Sequence, residues 1–328
     1  MLNFAIFGLV LTVAFARNGT REIIANVETV YEKPASPARG IVVLAHGCQH
    51  SATDFWPHST ACAECIGLPE EVRIARAIVA AGWVAVAFSS ADREMSRCWE
   101  FEVDGPRVLR ALSKFRHRHG LDELPAAALG ASSGGAFVLM LARELPLRAV
   151  VSQIMALPPA MLQGYNGTPF PPTLFLHMPR DGRTAALVSK CVGRLSQQGR
   201  PVAEIGAPPL AVTDAFFTRI PGVGGPLSAR IAAALSPHLN GERRLKQDPR
   251  RSKWRETLCA DEGLCALLPG RRPGEPDALV HDVSPVAEVL NVAWAQHEIV
   301  ADYMPQTMEW IESEGTTGLA GARQRAEL

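Results

Sequence analysis

"LGASSGGAFVLML" (residues 129–141) sets two adjacent serines among small residues and then turns abruptly apolar. Upstream, "PAAAL" (125–129) is an apolar run of strand length. Downstream, "GAFVLMLAREL" (135–145) reads as a buried helix that Pro146 brings to a stop. Strand, tight turn and helix is the order of a nucleophile elbow, and Gly130-Ala131-Ser132-Ser133-Gly134 fits its G-x-S-x-G pattern with Ser132 at the centre. The central residue of such a turn is strained, so the positions two before and two after it must be small. A frame centred on Ser133 puts Ala131 and Gly135 there, a poorer fit than Gly130 and Gly134. A glycine-rich bend with no chemistry is the plain alternative.

The rest of the chain alternates in the same way. "REIIANVETVYEK" (21–33) reads as an early strand, "GIVVLAHG" (40–47) and "WVAVAFSS" (83–90) as buried strands, and "EEVRIARAIVAAG" (70–82) as the helix between them. "DGPRVLRALSKFRHRHG" (104–120) is helical, with Pro106 near its start. "RAVVSQIMA" (148–156), "PTLFLHM" (172–178) and "PVAEIGAPPLAV" (201–212) supply further strands. Strands alternating with helices imply a mostly parallel sheet covered on both faces. Residues 213–283 break the pattern and read as an inserted cap without a clear core of its own. Its basic run 243–255 is either a solvated face or the mouth for an anionic substrate. "SPVAEVLNVAWAQHEIVADYMPQTMEWIES" (284–313) is largely helical, with Ser284 as N-cap, Pro285 at the first position and a kink or break at Pro305. The tail, 314–328, reads as frayed.

Composition removes some functions. The chain has 328 residues, 47% of them hydrophobic and 20% charged, and its 33 Lys+Arg balance 33 Asp+Glu, so no global field recruits nucleic acid. "MLNFAIFGLVLTVAFA" (1–16) carries no charge and ends in Ala-Phe-Ala, which reads as a signal peptide cut after Ala16. It is shorter than the roughly 20 residues of a membrane span. An uncleaved anchor or a buried first strand are the alternatives. Secretion fits N-x-T sequons at Asn18 and Asn166. Seven cysteines allow at most three disulfides. Cys259 and Cys265 are placed for a local bridge. Cys62 and Cys65 are spaced as a redox pair or half a zinc site that Cys48 and Cys98 would complete, with a disulfide role preferred in an oxidising compartment.

The strand ending in His46-Gly47, the elbow at 130–134, an acid after a later strand and a histidine near the last helix together resemble the α/β-hydrolase superfamily, over most of residues 21–313. "HGCQHSATDFWP" (46–57) is also similar to a group of plant and algal members. The resemblance implies an α/β-hydrolase fold with a cap at about 213–283, inside a domain spanning 17–313. It also implies a chain order of Ser, acid, His. Asp181 in "PTLFLHMPRDG" then takes the acid's place. His238, His281 and His297 come late enough for the base. His297, just ahead of the terminal helix, is preferred over His281, and a merely packed histidine within a helix is its plain alternative. Oxyanion donors are expected from the backbone N–H of Ser133 and of Cys48, leaving His46 and His50 to shape the loop and requiring no metal or cofactor. The function so implied is hydrolysis of a carboxylic ester or related acyl bond of a small molecule by Ser132, His297 and Asp181. A non-catalytic ligand-binding protein on the same fold and thiol redox chemistry at Cys62 and Cys65 are the competing expectations.

Overall fold

The computed structural model of the chain describes residues 18–268 and 284–317. The signal-peptide segment and His281 lie outside them. The first strand reading resolves into two: β1 (Thr20–Ile24) and β2 (Val27–Glu32) form a hairpin. Ala25 and Asn26 between them take φ of 50° and 63°, the conformation a two-residue hairpin turn requires. There follow β3 (Ile41–Ala45), α1 (Pro69–Ala80), β4 (Val84–Phe88), α2 (Phe101–His119), β5 (Ala126–Ala131) and α3 (Ser133–Leu141). Then come β6 (Val150–Gln153), β7 (Thr173–His177), α4 (Gly182–Gln197) and β8 (Val202–Gly206). α2 starts earlier than expected, so Pro106 falls in its second turn. α3 ends well before Pro146, which therefore is not what stops it.

The strands form one sheet in the order β1-β2-β4-β3-β5-β6-β7-β8, antiparallel as far as the β2–β4 pair and parallel from there to β8. β3 and β4 are buried at every residue. Alternate side chains serve opposite layers: Val42 and Leu44 pack with Ile74 and Ile78 of α1, while Ile41 and Val43 pack with Val108 of α2 and Phe137 of α3. A continuous apolar run, not an alternating one, is what a sheet covered on both faces needs.

After β8 the segment expected as a cap holds α5 (Gly225–Ala234), α6 (Trp254–Cys259), α7 (Glu262–Cys265) and short turns, and the chain continues through α8 (Pro285–Trp294) to α9 (Met304–Ser313). Two expectations are corrected here. The cap does have a core, around Phe217, Ile231, Leu235, Trp254 and Leu258, but Val286, Val289 and Leu290 of α8 complete it. It was invisible in sequence because part of it, Val286, Ala287, Val289, Leu290 and Ala293, lies beyond residue 283. The 284–313 stretch breaks at Ala295, whose φ of 56° ends α8, and Pro305 instead sits in the first turn of α9. The segment between the two helices is an irregular strap, and it carries His297.

Candidate active site

The elbow joins β5 to α3. Ser132 takes φ 53° and ψ −122°, a strained position for a residue with a side chain. Its neighbours are small because the backbone closes in on them. A Cβ on Gly130 would lie 2.2 Å from the Gly134 carbonyl oxygen, and one on Gly134 would lie 2.3 Å from Ala45 O and 2.4 Å from His46 O. The G-x-S-x-G frame is thus centred on Ser132, and Ser133 opens the helix with its hydroxyl buried and unpartnered.

The strap brings the late histidine to this turn. His297 Nε2 lies 2.9 Å from Ser132 Oγ, and His297 Nδ1 lies 2.8 Å from Asp181 Oδ2. Asp181 follows β7 as the N-cap of α4, its Oδ1 accepting the Thr184 N–H at 3.1 Å. Burial works to raise the Asp181 carboxyl, but the bonds from Thr184 and His297 outweigh it and hold it below the usual carboxylate range. An ionised Asp181 accepts a hydrogen bond from Nδ1–H and so holds the proton on that nitrogen, which leaves Nε2 free to accept from the serine hydroxyl. His238 is elsewhere, its Nε2 2.7 Å from Thr257 Oγ1 in the cap.

Residues absent from the sequence reading hold the strap. The Gln153 side chain pairs both backbone groups of Val300, donating to its carbonyl at 3.1 Å and accepting its N–H at 2.9 Å. Glu70 accepts the Ala301 N–H at 2.8 Å, and Arg73 and Arg219 both bond Asp302. Arg250, from the basic run of the cap, donates to the His297 carbonyl at 2.7 Å. Only the position of Gln153 at a strand end hinted at such a role.

The loop after β3 faces the elbow. A methyl carbon on Gly47 would lie 3.6 Å from His50 Cδ2 and 3.7 Å from Ser132 Cβ. Trp99 Nε1 donates to the His46 carbonyl at 2.9 Å, Gln49 N–H donates to Ser96 O at 2.8 Å, and the Cys48–Cys98 disulfide ties the same two segments. Among the described residues the Cys48 and Ser133 N–H groups have no hydrogen-bond acceptor. His46 is neutral: burial pushes it down to about 3. His50 is the opposite case. Burial opposes its charge, yet the 2.9 Å bond to Asp54 and the field of Asp54, Glu71 and Glu298 lift it to about 10.

Cys62–Cys65 and Cys259–Cys265 are also disulfides, and Cys191 is a buried thiol. With Cys48, Cys62, Cys65 and Cys98 all in disulfides, the four-cysteine metal alternative is overturned. Beside His297 and Asp181 a cavity of about 540 Å³ opens, lined also by Met155, Ala156, Pro158, Leu187, Arg183 and Thr184.

No family model matches the sequence, and no curated protein is similar to it. Among solved structures, the chain is similar to a dienelactone hydrolase from Anabaena variabilis (18% identity, TM-score 0.41, 58% of this chain and 86% of that one). It is likewise similar to an esterase/lipase from an uncultured bacterium (14%, 0.42, 66% and 83%) and to a putative esterase from Staphylococcus aureus (9%, 0.43, 62% and 79%). Likenesses of this size say nothing about chemistry. The sheet order, the elbow after β5, and serine, acid and histidine following one another along the chain give this protein the α/β-hydrolase fold.

Proposed function

We propose that the protein is a serine hydrolase that cleaves a carboxylic ester or related acyl bond of a small molecule through an acyl-enzyme. The observation that carries this reading is the continuous relay from Ser132 Oγ through His297 to Asp181, with contacts of 2.9 and 2.8 Å. A serine hydroxyl is a weak nucleophile until a base takes its proton and an acid orients that base.

As Ser132 Oγ bonds to the carbonyl carbon, its proton passes to His297 Nε2 and the carbonyl π pair moves onto oxygen. The N–H groups of Cys48 and Ser133 stabilise that oxyanion. When it collapses, the C–O bond to the alcohol breaks and His297 returns the proton to the leaving oxygen. Water then repeats the sequence on the acyl-serine, with His297 as base, and releases the acid. Asp181 keeps its negative charge throughout and balances the transient imidazolium. The cavity beside His297 accepts an apolar part of the substrate.

The likeness of residues 46–57 to plant and algal α/β-hydrolases belongs to this proposal, as does secretion after cleavage at Ala16, which the three disulfides support. A fluorophosphonate probe tests the chemistry. Wild type and Ser133→Ala label, and Ser132→Ala does not. A folded wild type that takes no label points instead to a ligand-binding protein on this fold.

A further inference from the structure

The two N–H groups left without an acceptor at the elbow stand on different elements, and one side chain touches both elements. Cys48 lies on the loop after β3, and Ser133 opens α3. Trp99, from the turn ahead of α2, donates from Nε1 to the His46 carbonyl at 2.9 Å. Its ring stacks on Phe137 of α3, with centroids 4.2 Å apart. The His46 oxygen is also an atom against which Gly134 packs, since a Cβ there would lie 2.4 Å from it. Trp99 thus fills the wedge between the loop that carries one donor and the helix that carries the other.

The turn that delivers Trp99 is itself fixed. Asp92 accepts the N–H groups of Met95, Ser96 and Arg97, and Gln49 N–H donates to Ser96 O at 2.8 Å. Cys98 then closes a disulfide to Cys48, the donor residue itself. From the other side, His46 Nε2 accepts the Ser90 N–H at 3.2 Å while Nδ1 lies 2.6 Å from the Gly47 carbonyl, so one neutral tautomer serves both bonds. Removing the indole N–H leaves the His46 carbonyl, pressed against Gly134, to seek another donor. Rotation of its peptide then carries Gly47 and the Cys48 N–H with it. We propose that Trp99 and the Cys48–Cys98 disulfide are positioning groups that set the separation of the two oxyanion donors. This rests on the ester-hydrolase reading above, and it makes a turn outside the triad responsible for the turnover rate and not for substrate affinity.

The test counts working sites by fluorophosphonate labelling taken to its end point, then compares hydrolysis of a chromogenic ester with binding of two ketones. Ser132 Oγ adds to the carbonyl of a trifluoromethyl ketone, its proton passes to His297 Nε2, and the oxyanion formed sits where that of the transition state does. The corresponding methyl ketone binds without being attacked. Trp99→Phe keeps a ring against Phe137 without the N–H, and Cys48→Ser/Cys98→Ser keeps the backbone donor without the bond. Each lowers kcat per labelled site about tenfold, and Trp99→Ala lowers it about a hundredfold. The trifluoromethyl ketone weakens by the factor lost from kcat, while KM and the affinity of the methyl ketone stay within about twofold of wild type. A merely structural role would lower the melting temperature and the labelled fraction and leave the rate per labelled site alone. Wild-type kcat in Trp99→Phe and in the double serine variant overturns the proposal, and so does a fall in kcat that leaves the trifluoromethyl ketone as tight as before. Folded wild type that takes no label overturns the nucleophile reading itself, and the positioning role with it.

Discussion

Gly134 is where the elbow rests on the end of β3, and an alanine there tests whether that contact sets the site. Its Cβ would sit 2.3 Å from Ala45 O and 2.4 Å from His46 O. An ordinary carbon–oxygen contact is roughly 3.2–3.4 Å, so one side must retreat by about 1 Å. Backbone stands on both sides, and β3 is pinned between β4 and β5. The strain therefore moves the Ser132–Ser133 turn away from the loop that carries Cys48. Overpacking of this kind costs about 1–3 kcal/mol. Pulling the two N–H donors apart by about 1 Å costs on the order of 10²-fold in kcat. The control is Gly193→Ala in α4, where an added Cβ meets nothing within 4 Å and the helix gains a better former. The assay is hydrolysis of a chromogenic ester alongside thermal unfolding. Gly134→Ala melts lower by several degrees and turns over about a hundredfold more slowly, while Gly193→Ala matches or exceeds wild type in both. Wild-type kcat in Gly134→Ala would refute the idea that β3 and the elbow are locked in one register.

Asp181→Asn keeps an acceptor for the Thr184 N–H, so the cap of α4 survives and unfolding is little changed, while loss of the charge behind His297 lowers kcat by about 10³–10⁴. Glu71 and Glu288 share a hydrogen bond in the interior; burial raises Glu71 to about 7, and burial with the Glu71 charge raises Glu288 further. The unfolded carboxyls ionise near 4.5, so the unfolded state sheds protons first and wild type loses stability as pH rises from 5 to 8. Glu288→Gln, which keeps a donor toward Glu71 without a second charge, flattens that slope in melts across the same range.

The parts of the site that are local in sequence were legible, and those that depend on distant pairing were not. Ser132 announces itself because the strain of an elbow demands glycine on both sides within five residues. Asp181 shows as a polar turn at the end of an apolar strand. His297 was harder, since the apolar residues on either side of it have helical spacing and nothing local says that Ala295 takes the left-handed conformation. That break is made by contacts from far away, including Arg180, which stacks 3.5 Å from the Trp294 ring and donates to the Trp294 carbonyl. The bonds of Gln153 to Val300 span 147 positions, and no periodicity reports such a pair. His50 and Asp54 stand four apart, in plain view, but reading the imidazole as loop-shaping left out that Asp54, with Glu71 and Glu298, keeps it charged against the cost of burial.

Because Val286, Val289 and Leu290 close the core of the cap, α8 belongs to the cap as much as to the sheet, and the chain leaves α8 directly into the strap. The cap is therefore not an exchangeable module. A graft that replaced residues 213–268 to alter selectivity would strip the apolar face of the helix that delivers His297 and remove the Arg250 bond to its carbonyl. Selectivity and turnover would then change together. In this architecture, diversification of the cap is bounded by the need to keep the base in place, so tolerated changes should concentrate at cap positions facing away from α8.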